Sequence, residues 1–132
     1  MGKTSAEDWF MKLLDTDIFI DFLRGLPQAE RFILACGDSI LFSSITEAEL
    51  LSGKKCENQR EREHVLHLLS QFEKVPVDNP LVQIAGDLRR KYGMEIPDAI
   101  IAASAITEQV TLITRNIGDF KRITGLHVER PY

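Results

Sequence analysis

What most limits the fold open to this chain is its rhythm, in which short apolar runs alternate with longer segments of helical period. Residues 12–14 read as a buried strand ending at Asp15. Ile18, Phe19, Phe22 and Leu23 then mark one helical face, which Gly25 stops before Pro27 opens the next helix. The pattern repeats with a strand at 40–43 and a helix over 46–52 that ends at Gly53. The charged stretch 57–71 carries Val65, Leu66, Leu68 and Leu69 at helical spacing, the mark of a surface helix with one buried stripe. A third strand at 73–77 is followed by Asp78, Asn79 and Pro80, which supply cap and first-turn signals for a helix to Tyr92. The segment 98–108 predicts a helix whose Ala99, Ala102, Ala103 and Ala105 let it pack close to a sheet. Residues 111–114 predict a fourth strand and 126–128 a last one. Strands and helices of these lengths, in alternation, predict a three-layer α/β fold with a mainly parallel central sheet flanked by helices.

The chain has 132 residues, 44% apolar and 27% charged, enough for one domain with a core that needs no covalent staples. The domain is expected to run over 11–132. Residues 1–10 are polar and unpatterned, and read as an N-terminal extension or an artificial remnant. No apolar run has the length of a membrane helix and the start lacks a signal-peptide core, so a cytoplasmic protein without membrane contact is the expectation. Cys36 and Cys56 lack the spacing of a zinc knuckle or redox pair and read as reduced thiols. A net charge of −4 argues against nucleic-acid binding through a broad basic face. A cluster of acids holding metal ions would reconcile that charge with a phosphate ligand.

In open parallel sheets, ligands bind beyond the carboxyl ends of the strands. Asp15 closes the first strand, Glu49 lies in the helix after the second, and Asp119 lies in the turn after the fourth. Asp98 opens the Ala-rich helix that leads into that fourth strand. Singly, each has an ordinary explanation: strand end or helix cap for Asp15, dipole partner for Asp98, a solvated turn for Asp119. Thr46 and Glu49 also have the spacing of a capping box. Their joint placement is what points to a site. Acids gathered at one edge raise each other's pKa unless a cation neutralises them. Mg²⁺ takes one or two carboxylates together with waters and substrate phosphates. Because a metal-bound water is a nucleophile near neutral pH, phosphodiester hydrolysis is the natural chemistry of such a cluster.

Four segments carry a resemblance: LLDTDIFIDFLRG, SSITEAELLSG, IPDAIIAASA and LITRNIGDF. Their order and spacing, from Met11 to about Val128, resemble PIN-domain endoribonucleases, specifically VapC-type toxins of type II toxin-antitoxin systems. The resemblance implies a PIN-like fold and a Mg²⁺- or Mn²⁺-dependent endoribonuclease, a homodimer inhibited by a cognate antitoxin protein, with RNA, often tRNA, as substrate. It places the family acids on Asp15, Glu49 and Asp98. Residues two apart on a helix point about 200° from each other, so Glu47 is expected to face solvent when Glu49 faces the site. In the last segment some members carry an acid at the position of Asn116 and others at that of Asp119. Asp119 is taken as the fourth catalytic and metal-binding carboxylate, with Thr114 and Asn116 as polar partners that orient ligands or water.

Asp17 and Asp21 read as dipole-favoured, solvated helix residues, and His64 and His67 as a solvated helix face. Lys54, Lys55, Arg115, Lys121 and Arg122 are candidates for phosphate contact, although exposed charge is their commoner explanation. Trp9 and Phe10 suit a dimer or antitoxin surface, Phe19 and Phe22 a core, and Tyr92 and Tyr132 indicate nothing. Two other hydrolytic or signalling folds fit less well. The DTD step resembles haloacid-dehalogenase hydrolases but lacks their Gly-Thr continuation, and a phosphoacceptor receiver domain would need paired acids at its start. A different class remains open, a catalytically weak PIN-like module that binds RNA or a protein.

Overall fold

The computed structural model describes residues 10–132. The proposed extension therefore lies almost wholly outside the described residues, as does Trp9. Strand β1 (Lys12–Leu14) leads into α1 (Thr16–Leu23) and α2 (Pro27–Cys36). Strand β2 (Ile40–Ser43) leads into α3 (Ser44–Leu51), a 3-10 turn (Lys54–Glu57) and α4 (Gln59–Leu69). After β3 (Glu73–Val75) come α5 (Asn79–Tyr92) and α6 (Ile96–Glu108), then β4 (Thr111–Ile113), α7 (Ile117–Phe120) and β5 (Val128–Glu129). The sheet order is β3-β2-β1-β4-β5, and every pairing is parallel.

The two-residue alternation of a strand explains the three layers. Leu13, Leu41 and Leu112 enter one core with Ala99, Ala102, Ala103 and Ala105 of α6 and with Leu81, Ala85 and Leu88 of α5. Leu14, Phe42 and Ile113, one residue later on each strand, enter the opposite core with Phe19 of α1, Ile33 of α2, and Val65, Leu68 and Leu69 of α4. The sheet is buried on both faces, which is why its strands read as unbroken apolar runs. The alanines of α6 bring its backbone close to the sheet, so the helix start carrying Asp98 is held rigidly relative to the strand ends.

Several boundaries differ from the sequence expectation. Ser43 caps α3, its hydroxyl accepting the Ile45 N–H at 3.2 Å, so the helix begins before Thr46 and the capping box that the spacing of Thr46 and Glu49 allowed as an alternative does not form. Helix α6 starts at Ile96, which puts Asp98 within its first turn. Asp119 sits on the short helix α7 instead of in a turn. The last strand lies two residues later than expected, where pairing with Leu112 and Ile113 selects Val128 and Glu129.

Candidate active site

Strand order reverses between β1 and β4, because β2 and β3 extend the sheet on one side of β1 while β4 and β5 extend it on the other. Such a switch opens a crevice beyond the carboxyl edge, since neighbouring connections leave in opposite directions. Pairing of Leu14 with Ile113 brings Asp15 and Thr114 out of the sheet side by side.

Asp15 is the N-cap of α1 and only 7% exposed. One carboxylate oxygen accepts the Thr16 N–H and the other accepts the Thr114 hydroxyl, both at 2.8 Å. Burial pushes its pKa up to about 7; the charges of Asp17 and Asp98 add to the rise, while the two hydrogen bonds oppose it. Thr114 in turn accepts the Asn116 N–H at 3.0 Å, and the Asn116 side-chain amide donates to Asp119. A continuous chain of hydrogen bonds thus runs from Asp15 through Thr114 and Asn116 to Asp119. Glu49 is reached from the other side. The Thr16 hydroxyl donates to its Oε1 at 2.6 Å and lies 2.9 Å from the Thr46 hydroxyl. As Thr16 has a single proton, committed to an acceptor-only carboxylate, Thr46 must be the donor between the two threonines. Asp98 completes the group: burial raises its pKa first, followed by the charges of Glu49, Asp119, Glu95 and Asp17.

The structure therefore gathers Asp15, Glu49, Asp98 and Asp119 at one edge and places Thr114 and Asn116 between two of them. Among the described residues none of the four acids is ion-paired. No three of the described acidic, histidine or cysteine side chains converge tightly enough to enclose an ion unaided. The donor set, all hard carboxylate oxygens without a counter-ion, fits a divalent ion that keeps waters in its coordination shell better than one held in a complete protein cage. Asp17 Oδ1 strengthens that fit, because it is buried with no hydrogen-bond partner among the described residues.

Some residues behave differently from expectation. Asp21 is buried instead of solvated, and Asp17, still the acid in the first turn of α1, is half-buried. Asp17 accepts the Arg115 N–H at 3.1 Å, and burial raises its pKa. Asp21, 7% exposed, accepts two hydrogen bonds from the Arg115 guanidinium at 3.0 and 3.3 Å and one from the Tyr132 hydroxyl at 2.7 Å. Tyr132, featureless in the sequence, thus fastens the end of the chain beside the site, helped by the hydrogen bond from Arg130 to the Arg115 carbonyl. Glu47 faces away from the acids, as helix geometry requires, but pairs with Lys74 at 3.0 Å instead of standing free. Thr16 and Glu95 were missed. Thr16 in the DTD step was visible as a hydroxyl at the strand end, whereas Glu95 had no signal beyond its nearness to Asp98. Phe19 is in the core and Phe22 packs against it, as expected, while Phe10 is 61% exposed. Both described cysteines are free thiols.

A parallel α/β domain with an acidic crevice at its topological switch is the class of protein that this fold and site define. The PIN domain family matches residues 12–126. Ribonuclease VapC19 of Mycobacterium tuberculosis is 33% identical over 134 residues, a span covering 92% of this chain and 100% of that protein. Among solved structures, a toxin-antitoxin complex from Klebsiella pneumoniae superposes with a TM-score of 0.80 at 33% identity, covering 92% of this chain and 98% of that one. VapBC2 from Rickettsia felis, bound to a DNA fragment from its promoter, gives 0.75 at 28% identity over 91% and 98%. The chain belongs to the PIN-domain family and, within it, to the VapC group. Among the described residues no helix is long and apolar enough to cross a membrane.

Proposed function

We propose that this protein is a metal-dependent endoribonuclease, the toxin of a toxin-antitoxin pair, with Asp15, Glu49, Asp98 and Asp119 as its catalytic and metal-binding carboxylates. The observation that carries the reading is the arrival of four acids, from the end of β1 and from α3, α6 and α7, at one crevice, with no cation among the described residues paired to any of them. Relatives named as VapC ribonucleases and toxin-antitoxin complexes support both the activity and a cognate antitoxin partner. A homodimer, and tRNA as the RNA cut, extend the same reading.

Bound Mg²⁺ or Mn²⁺ would supply an activated water and neutralise charge developing on the scissile phosphate. The protein's part is to hold that chemistry in place. Asp15, with each oxygen already accepting one hydrogen bond, is fixed in orientation and retains lone pairs toward the crevice. Thr16 fixes Glu49, and Asn116 fixes Asp119, so neither carboxylate must lose side-chain freedom when substrate arrives. The pKa of Asp98 is raised first by burial and then by the neighbouring negative charges of Glu49 and Asp119, a crowding that a cation would relieve.

The test is incubation of antitoxin-free protein with total RNA and Mg²⁺ or Mn²⁺, beside EDTA and an Asp98→Asn variant. Cuts lost in both controls are expected. Cleavage that persists in the variant would refute the site, and folded protein without cleavage under either metal would favour a PIN-like binding module.

A further inference from the structure

Helix α1 carries more of the site than its cap. Asp15 caps it, and Asp17 and Asp21, four residues apart, share one face of it. Like charges at that spacing repel each other, and Arg115, from the turn after β4, meets both. Its backbone N–H donates to Asp17 at 3.1 Å and its guanidinium to Asp21 at 3.0 and 3.3 Å. Arg115 stands between Thr114, which donates to Asp15, and Asn116, which donates to Asp119. The turn that sets the spacing of two candidate acids is therefore docked along α1, with Arg115 as its fastening.

The segment after β5 holds Arg115 from the far side. Pairing of β5 with β4 runs to Glu129 and Ile113, and the two strands leave the sheet together. Arg130 then donates to the Arg115 carbonyl and to the Tyr132 carbonyl, each at 2.9 Å. The Tyr132 hydroxyl donates to Asp21 at 2.7 Å, and its ring centre lies 6.0 Å from the Arg115 guanidinium carbon. Partial burial, then the bond to Asp21 and its charge, raise the pKa of that hydroxyl, so it stays protonated and donating. The backbone N–H, carbonyl and guanidinium of Arg115 are thus all held. A buried carboxylate with one cation is weak ground for stability. What these bonds add is a fixed place for the turn.

We propose that Tyr132 is a positioning residue, acting through Asp21 and Arg115 to fix the turn that places Asp119 relative to Asp15. Its hydroxyl bonds Asp21 and none of the four acids. The proposal rests on the metal-dependent ribonuclease reading and adds to it a group, outside the four acids, on which the site depends. Mg²⁺ demands near-ideal octahedral geometry, so carboxylates that share such an ion must be held to within about 0.5 Å. Groups that orient metal ligands from outside are worth about 10–100-fold in metal affinity or activity. Tyr132 stands one step further out, which sets the lower end of that range as the expectation.

The test uses the full chain and two readouts. Mn²⁺ alone is titrated in without RNA, and the free ion is counted by its electron paramagnetic resonance signal. Initial rates are then measured on a labelled RNA oligonucleotide spanning a cut mapped in total RNA. Wild type is compared with Tyr132→Phe, which keeps the ring over Arg115 and removes only the donor, and with Tyr132→Ala. A core deletion on α2, Ile33→Ala, serves as the control for lost stability. Melting curves rank all four proteins, and every measurement is made well below the lowest transition. Should Tyr132→Ala not fold, Tyr132→Phe carries the comparison alone.

Tyr132→Ala should weaken Mn²⁺ binding and lower kcat by about tenfold each, with KM little changed. Tyr132→Phe should lose less of the same two quantities, and Ile33→Ala should lose Tm and neither of them. Tyr132 variants that lose Tm alone, or no more Mn²⁺ affinity and kcat than Ile33→Ala does, would overturn the proposal and leave the nuclease reading standing. A loss confined to KM would place Tyr132 against the RNA itself and overturn it too. Weaker Mn²⁺ binding by the variants of a protein that cleaves no RNA would uphold the positioning and refute the ribonuclease reading instead. Wild type that binds no Mn²⁺ would refute the positioning together with the metal site.

Discussion

Replacing Asp15 by Asn should stabilise the metal-free protein at alkaline pH while abolishing its activity. Asp15 is held with its pKa raised from 3.8 to about 7, so the folded state binds its proton more tightly than the unfolded chain does. Its contribution to stability is therefore fully present below the unfolded pKa and is lost as pH rises through about 7. A rise of that size corresponds to about 4 kcal/mol of destabilisation at pH 8 relative to acid. The variant removes this cost but disturbs the Thr114 contact. One Asn oxygen can keep the Thr16 N–H, whereas the amide nitrogen can only donate to Thr114. Subtracting about 1–2 kcal/mol for that loss leaves a gain of about 2–3 kcal/mol at pH 8. In a domain of this size that is roughly 6–12 °C in Tm. Thermal melts of both proteins in EDTA at pH 5 and pH 8 provide the assay. The variant's advantage should appear at pH 8 and shrink or reverse at pH 5, and Mn²⁺ should raise the Tm of wild type alone. An advantage equal at both pH values, or a variant less stable at pH 8, would refute the argument that an unneutralised buried charge strains this site.

Other substitutions probe the supports around the acids. Thr16→Val removes the donor to Glu49 and leaves the fully buried Thr46 hydroxyl without its acceptor, which should cost about 1–3 kcal/mol in urea denaturation and lower kcat more than it raises KM. Arg115→Gln strands the buried Asp21 carboxylate with Tyr132 as its side-chain partner, at about 3 kcal/mol, and adding Asp21→Asn should recover part of that loss in a double-mutant cycle. Glu47→Gln should change stability by less than about 0.5 kcal/mol and leave cleavage intact, because its pair with Lys74 is half-exposed, whereas Glu49→Gln, two residues on, should abolish cleavage.

Local signals settled the architecture of this chain. Three-residue strands such as KLL and TLI read correctly because a parallel sheet covered on both faces demands continuous apolar residues, and Gly25 and Pro27 punctuate the chain by their own backbone constraints. Spacing and resemblance could pick out the candidate acids for a related reason, since Asp15, Glu49 and Asp119 stand immediately beyond a strand or on the helix that follows one, while Asp98 opens the helix that leads into β4. What tertiary structure alone decided are the relations between residues far apart in sequence. Thr114 reaches Asp15 across 99 positions, and Tyr132 reaches Asp21 across 111. No local pattern marks Asp21 as buried, because its helix position predicts a solvated face until Arg115 and the chain's end close over it. Thr46 likewise had the spacing of a helix cap, and only the earlier capping of α3 by Ser43 freed its hydroxyl for Thr16. Periodicity records which face of an element meets the core, whereas hydrogen bonds and charge coupling depend on how the carboxyl ends of β1, β2 and β4 are brought together, and only the assembled sheet does that.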